Sequence, residues 1–402
     1  METGIVFIPS GGVTSPAGFS AGATGAGIKN NGEAILDLGI LRSDVSCDAA
    51  AVFTTNKVKA APVILNRQRL ERGRATAVIM NSGCANACNG ERGLADAAEM
   101  AVLAARHIGI APDDVLVAST GVIGPCLPME RIRAAIPDIT LSAEGGHEVA
   151  RAIMTTDTVP KEAAVKSSGG FVIGGMAKGS GMIHPDMATM LCFLTTDAKV
   201  DRAFLGAALK SAVDVTFNMI SVDGDTSTND MVLLMANGHA GSETITTGSA
   251  GAEAFQQALD EVCRYLARAI AADAEGATKR IEVTVGSAAS SADARLAART
   301  IVNSPLVKSA VHGSDPNWGR VLAAAGRSGA ALEQDRLDLS IGGIQVVKNG
   351  CPVAFDEREV VKALDGRDVT IVLNLNAGNA IATAWGCDLS EEYVTINSEY
   401  TT

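Results

Sequence analysis

Residues Lys178-Gly179-Ser180-Gly181-Met182-Ile183-His184-Pro185-Asp186-Met187-Ala188-Thr189-Met190-Leu191 combine types that can make and break acyl bonds. A glycine run and a proline deliver the chain to a Thr preceded by a small Ala, then to the apolar Leu191-Cys192-Phe193-Leu194. One reading is a loop entering a central strand, with Thr189 a β-branched residue suited to that strand. The other is an N-terminal nucleophile. Thr189 Oγ attacks the Ala188 carbonyl, an N→O acyl shift and hydrolysis cut the chain, and Thr189 becomes a new N-terminus. Its α-amino group, with an unperturbed pKa of about 7.7–8.0, then serves as base for the adjacent hydroxyl without a histidine. A second stretch, Ala118-Ser119-Thr120-Gly121-Val122-Ile123-Gly124-Pro125, follows the apolar Val115-Leu116-Val117. It reads either as a strand ending in a glycine-rich turn or as an oxyanion site. In the second case Gly121 lets backbone N–H groups point at developing charge, and the Thr120 hydroxyl is a second donor.

Other chemistries lack their motifs. There is no G-x-S-x-G, no G-x-x-x-x-G-K-[ST] and no H-E-x-x-H, and Gly25-Ala26-Gly27 with Gly32 has the wrong spacing for a dinucleotide. Asp223-Gly224-Asp225-Thr226-Ser227-Thr228-Asn229-Asp230 lacks the sixth-position Gly and twelfth-position Glu of a calcium loop, and reads as an Asx-rich turn. The five histidines do not cluster. Of eight scattered cysteines, Cys84 and Cys88 lie close in sequence without a second Cys or His pair, so ordinary small buried side chains are expected there rather than a metal site. With 33 basic against 45 acidic residues, a net charge of −12 and 3% aromatics, the chain is a poor partner for nucleic acid or an anionic membrane. No apolar run of about 18 residues spans a bilayer. Neither does Met1-Glu2-Thr3-Gly4-Ile5 open like a secretory signal, so a cytoplasmic location with reduced thiols is expected.

The elements that must position these residues are partly visible. A chain of 402 residues, 47% hydrophobic, supports two lobes or one large layered domain. Leu94, Ala98, Ala101, Ala105 and Ile108 recur at helical steps before a capping Gly109. Phe255, Leu259, Val262, Leu266 and Ile270 do the same, and a third helix starts near Asp201 and runs through Phe204, Ala208 and Ala212. Alternation predicts strands at Ile281 to Val285 and Arg336 to Ile341. The latter turns through Gly342-Gly343 into Ile344-Gln345-Val346-Val347 as a hairpin, and Val369 to Leu375 is a further strand. Mixed elements of this kind favour an α/β or α+β layered protein.

Lys178 to Leu191, together with Ser119 to Gly124, resembles the self-cleaving glutamate N-acetyltransferase / ornithine acetyltransferase family of arginine biosynthesis. Similar segments run in collinear order over essentially the whole chain. They include Asn81-Ser82-Gly83, Met154-Thr155-Thr156-Asp157-Thr158, Asp223 to Asp230, Glu275-Gly276-Ala277-Thr278-Lys279, Asp315-Pro316-Asn317-Trp318-Gly319-Arg320, Gly386-Cys387-Asp388-Leu389 and Tyr393 to Thr402. The resemblance implies an αββα layered sandwich of the ornithine acetyltransferase type with a smaller C-terminal lobe. It implies cleavage between Ala188 and Thr189 into an α chain (1–188) and a β chain (189–402), assembled two and two. The implied reaction takes acetyl from N2-acetylornithine onto Thr189, then gives it to L-glutamate. No cofactor is implied, and acetyl-CoA stays open as a second donor. Thr120 and Gly121 take the oxyanion-hole role; Thr156, Lys178, Thr189, Glu275, Asn397 and Thr402 take the substrate contacts. Lys178 suits the α-carboxylate common to the substrates, Glu275 the ornithine ammonium, and the Thr402 carboxylate a network with Asn397. The family commonly shows Asn where this chain has Cys84 and Asp186.

Overall fold

The computed structural model describes residues 4–29, 35–184, 190–241 and 243–399. Ala188 and Thr189, Asp186 and Thr402 lie outside the described residues. The strands are β1 (Ile5–Phe7), β2 (Phe19–Thr24), β3 (Leu38–Phe53), β4 (Arg74–Cys84), β5 (Val115–Val122), β6 (Lys161–Ser167), β7 (Val172–Lys178) and β8 (Leu191–Thr196). They continue as β9 (Ile220–Ser221), β10 (Met231–Ala236), β11 (Arg280–Ala288), β12 (Asp338–Ile341), β13 (Ile344–Lys348), β14 (Cys351–Pro352), β15 (Asp368–Asn374) and β16 (Ala380–Cys387). The helices are α1 (Ala61–Arg69), α2 (Gly90–Ile108), α3 (Met129–Ala135), α4 (Gly146–Ala152), α5 (Arg202–Val215) and α6 (Ala252–Ala272). After them come α7 (Ser291–Val302), α8 (Pro305–His312), α9 (Trp318–Gly326), α10 (Glu357–Leu364) and α11 (Glu391–Glu399).

Local chemistry explains several boundaries. α2 stops where Gly109 takes a left-handed φ of 75° and its N–H returns to the Ala105 carbonyl. Its buried stripe is Ala97, Met100, Ala101, Ala104, Ala105 and Ile108, which keeps the expected Ala101, Ala105 and Ile108 inside but leaves Ala98 half-buried and Leu94 exposed. α5 starts at Asp201, whose carboxylate accepts the N–H groups of Ala203 and Phe204. Phe255, Leu259, Val262, Leu266 and Ile270 are all buried along α6. Gly342 and Gly343 both carry positive φ, 60° and 82°, as a two-residue hairpin turn between β12 and β13 requires. The strand before that turn begins at Asp338, because Gln334–Arg336 closes a 3-10 turn instead. Cys84 is buried as expected, but Cys88 is exposed: β4 ends at Cys84, and the turn into α2 leaves the second thiol at the surface.

The first sheet has the order β1-β6-β7-β8-β10-β3-β4-β5, with β2 on β3. β3 is the pivot. Its first half pairs with β2 and β4, its second half with β10, and its register against β4 shifts between Arg42 and Cys47. Flat, the sheet would hold β5 and β8 about 19 Å apart, four strand spacings of about 4.8 Å. Instead Thr120 of β5 and Leu191 of β8 line one small cavity, so the sheet folds over at β3 and its two arms face each other. Leu41, Val78, Met80 and Leu116 of one arm share a buried core with Met176, Phe193, Leu233 and Met235 of the other. The alternate residues point outward. Ile79, Val115 and Val117 pack with α2 and α3, while Cys192, Leu194, Val232 and Leu234 pack with α5 and α6. The layers therefore run α, β, β, α, with each large side chain in the central core contributing roughly 1.5–3 kcal/mol by burial. The second sheet, β14-β13-β12-β15-β11-β16-β9, with α7 to α10 makes the smaller C-terminal lobe. It is joined through α6, which touches β6 and β7 on one side and β16 on the other. Among the described residues no helix is long and apolar enough to cross a membrane.

Candidate active site

The folded sheet brings three chain segments to one edge of its interior. At the end of β5, Gly121 has φ 126°, and a Cβ there would sit 2.6 Å from the Cys84 nitrogen and 2.7 Å from the Gly83 Cα. Only glycine lets β5 close against β4 at this point. Asn229, just before β10, donates to the carbonyls of Ala85 (2.6 Å) and Ser119 (2.8 Å) and so fixes this corner from the other arm.

Lys178 ends β7 opposite Leu191 of β8 and is only 8% exposed. Its Nζ donates to Thr155 Oγ1 at 2.7 Å and lies 3.8 Å from Asp157 Oδ2. Asp157 also takes Lys161 Nζ at 2.7 Å, the Gly179 N–H at 2.7 Å and the Thr155 N–H at 3.0 Å. Lys161 reaches a second carboxylate, Asp273, at 2.6 Å. Burial alone would raise the Asp157 pKa, but Lys178 and Lys161 outweigh it and bring it down to about 2. Burial lowers the Lys178 pKa, against the pull of Asp157. A buried ammonium with one neutral partner and a carboxylate at 3.8 Å is poised for an anionic ligand.

Beyond β7, Gly179 has φ 153°, and a Cβ on Gly181 would run into the Glu275 carboxylate, so that carboxylate packs directly on glycine backbone. Glu275 follows the end of α6; its N–H bonds the Ser180 carbonyl at 3.0 Å, and it is 8% exposed. Asn397 of α11 donates to Glu275 Oε2 at 2.9 Å. Asp223 takes the N–H groups of Met182 (2.6 Å) and Ile183 (3.0 Å), and the Tyr393 phenol is raised by burial and by Asp223, Glu275 and Asp225 around it. This end of the site is acidic.

Thr120, Gly121, Thr156, Lys178, Glu275 and Asn397 line one cavity of about 100 Å³. Met190, the residue after Thr189, lines it too, whereas Ala188, Thr189 and Thr402 lie outside the described residues. Sequence reasoning passed over Thr155, which holds Lys178, and over Asn229 and Asp230, which also line the cavity. The signal was present as the Asx-rich run, in which Asp223 accepts the Asp225 N–H at 3.1 Å and Ser227 Oγ the Asn229 N–H at 3.2 Å.

The ArgJ family profile matches residues 20–402. The chain belongs to the ArgJ family. An arginine biosynthesis bifunctional protein ArgJ from Symbiobacterium thermophilum is 56% identical over 398 residues, 98% of this chain and 99% of that protein. One from Dehalococcoides mccartyi is 53% identical over 405 residues, covering both proteins completely. Among solved structures, ArgJ of Bacillus halodurans is 46% identical, with a TM-score of 0.50, over 51% of this chain and 97% of the solved chain. As an ArgJ protein the chain is an acetyltransferase of arginine biosynthesis.

Proposed function

We propose that this chain cuts itself between Ala188 and Thr189 and then moves acetyl from N2-acetylornithine to L-glutamate through an acetyl-Thr189 ester. The observation that carries the reading is the meeting of Thr120-Gly121, Lys178 and the Glu275–Asn397 pair in one cavity that also admits Met190. In processing, Thr189 Oγ adds to the Ala188 carbonyl, the C–N bond breaks to leave an ester, and water hydrolyses it. In turnover, the freed Thr189 amine takes the hydroxyl proton as Oγ attacks the acetyl carbonyl. The Thr120 hydroxyl and the Gly121 N–H stabilise the oxyanion, and ornithine departs with a proton. Glutamate attacks the ester by its α-amine, and N-acetylglutamate leaves.

Lys178 pairs with the α-carboxylate that both substrates carry. The acidic end at Glu275 receives the ornithine ammonium, with Asn397 fixing the carboxylate and the Thr402 carboxylate joining the same network. Thr156 completes the lining. The solved Bacillus halodurans chain, matched almost whole, spans about half of this one, which supports a cut near residue 188. The two products form the α and β chains of a two-plus-two assembly working in the cytoplasm, and acetyl-CoA stays open as a second donor.

The test is a denaturing gel beside an acetyl-transfer assay. Wild type should give two bands and form N-acetylglutamate from N2-acetylornithine and glutamate. Thr189→Ala should give one band and no product, whereas Thr189→Ser, which keeps a hydroxyl, should still cut. An intact wild-type chain with full activity would reject the reading.

A further inference from the structure

Asp230 stands just before β10, 2% exposed, and lines the same cavity as Thr120, Gly121, Lys178 and Met190. The Met231 N–H bonds the Met190 carbonyl at 2.9 Å, so the parallel ladder sets Asp230 beside Met190 at the mouth of β8. Its Oδ2 is buried and, among the described residues, receives no hydrogen bond. A buried, unsatisfied carboxyl oxygen costs stability, and a protein that keeps one in a ligand cavity has a use for it.

On the reading given above, Lys178 holds the substrate carboxylate and Thr120-Gly121 hold the acyl oxygen. The substrate α-nitrogen is bonded to the carbon bearing the first group and to the carbonyl carbon held by the second, so it lies between the two. Asp230 shares that space, and its charge is felt at Lys178. We propose that Asp230 Oδ2 accepts the N–H of the substrate α-nitrogen, aligning the amide of N-acetylornithine as donor and the amine of glutamate as acceptor. Burial raises the pKa of this carboxyl well above that of an ordinary Asp, against the pull of Ser227 and Lys178.

The test uses self-cleaved full-length protein and two acetyl donors in single turnover. One is N2-acetylornithine; the other is its ester analogue, 2-acetoxy-5-aminopentanoate, in which oxygen replaces the α-N–H. Asp230→Leu, of similar size, should slow acetylation of Thr189 by the amide donor about tenfold to hundredfold and leave the ester donor within about twofold of wild type. Asp230→Asn, which retains an oxygen acceptor, should recover part of the loss. Both variants should be cut as wild type is, and Asp230→Leu should melt no lower, since it removes the buried orphan. Equal losses on both donors, no loss on either, or an uncut precursor in both variants beside a cut wild type would each overturn the assignment. A wild type that is itself uncut and inactive would refute the preceding reading instead.

Discussion

On the proposed reading Lys178, Glu275 and Asp230 each face a different part of an N-acetyl amino acid, and substitutions there should separate the substrates. Glu275→Gln keeps an oxygen for the hydrogen bond from Asn397 but removes the charge proposed to face the ornithine ammonium. It should weaken N2-acetylornithine more than glutamate, read as separate KM values; equal losses would reject the pairing. Gly121→Ala places a methyl against the Gly83-Cys84 backbone at a φ that L side chains rarely adopt. Acetyl transfer should fall by about 10²–10³-fold, the usual consequence of losing one oxyanion donor, and full activity in this variant would remove Gly121 from that role. Thr120 and Gly121 were marked by residue type as one of two readings, whereas Thr156, Lys178, Glu275 and Asn397 were singled out only by likeness to a known family. Asp230 was singled out by neither, because nothing in a run of Asp, Thr, Ser and Asn tells which carboxylate turns outward and which is sealed in.

The elements depend on a small buried charge cluster. Asp157 ties Lys161, Lys178 and the Gly179 backbone, joining β6 and β7 to the segment before them. Asp157→Asn would leave the buried Lys178 ammonium without its neighbouring carboxylate and Lys161 with Asp273 alone, and denaturant unfolding at neutral pH should show a loss of about 3–5 kcal/mol. The pH dependence follows from the direction of the shift. The carboxyl pKa is about 2 in the folded state, below its value of about 3.9 in the unfolded chain. Its stabilisation is therefore complete above about pH 4 and lost as pH falls from there towards 2. The variant's stability should vary less with pH over that window than the wild type's; parallel curves would contradict the cluster's role. α2, α5, α6 and the β12–β13 hairpin could be read from spacing, since their signals are local. The placing of β10 between β3 and β8, and the fold of the sheet at β3, could not. Pairing between strands far apart in sequence leaves no periodic trace.

At the scale of the whole molecule, the proposed cut falls between β7 and β8, which are hydrogen-bonded neighbours from Ile173 with Thr196 to Lys178 with Leu191. β8 and β10 from the second piece sit inside a sheet whose other strands come from the first. The two pieces should therefore co-elute in native size exclusion and separate only on denaturation; native dissociation would mean that the cut lies elsewhere. The layered architecture and the smaller lobe were expected from likeness to a known family, and patterns of hydrophobic residues alone would have reached only a mixed layered protein. The most direct test of the account is intact mass spectrometry of active protein quenched during turnover with N2-acetylornithine. It predicts two masses, those of residues 1–188 and 189–402, with one acetyl group on Thr189 of the second. A single mass for the unbroken chain, or two pieces with no acetyl on Thr189, would contradict it.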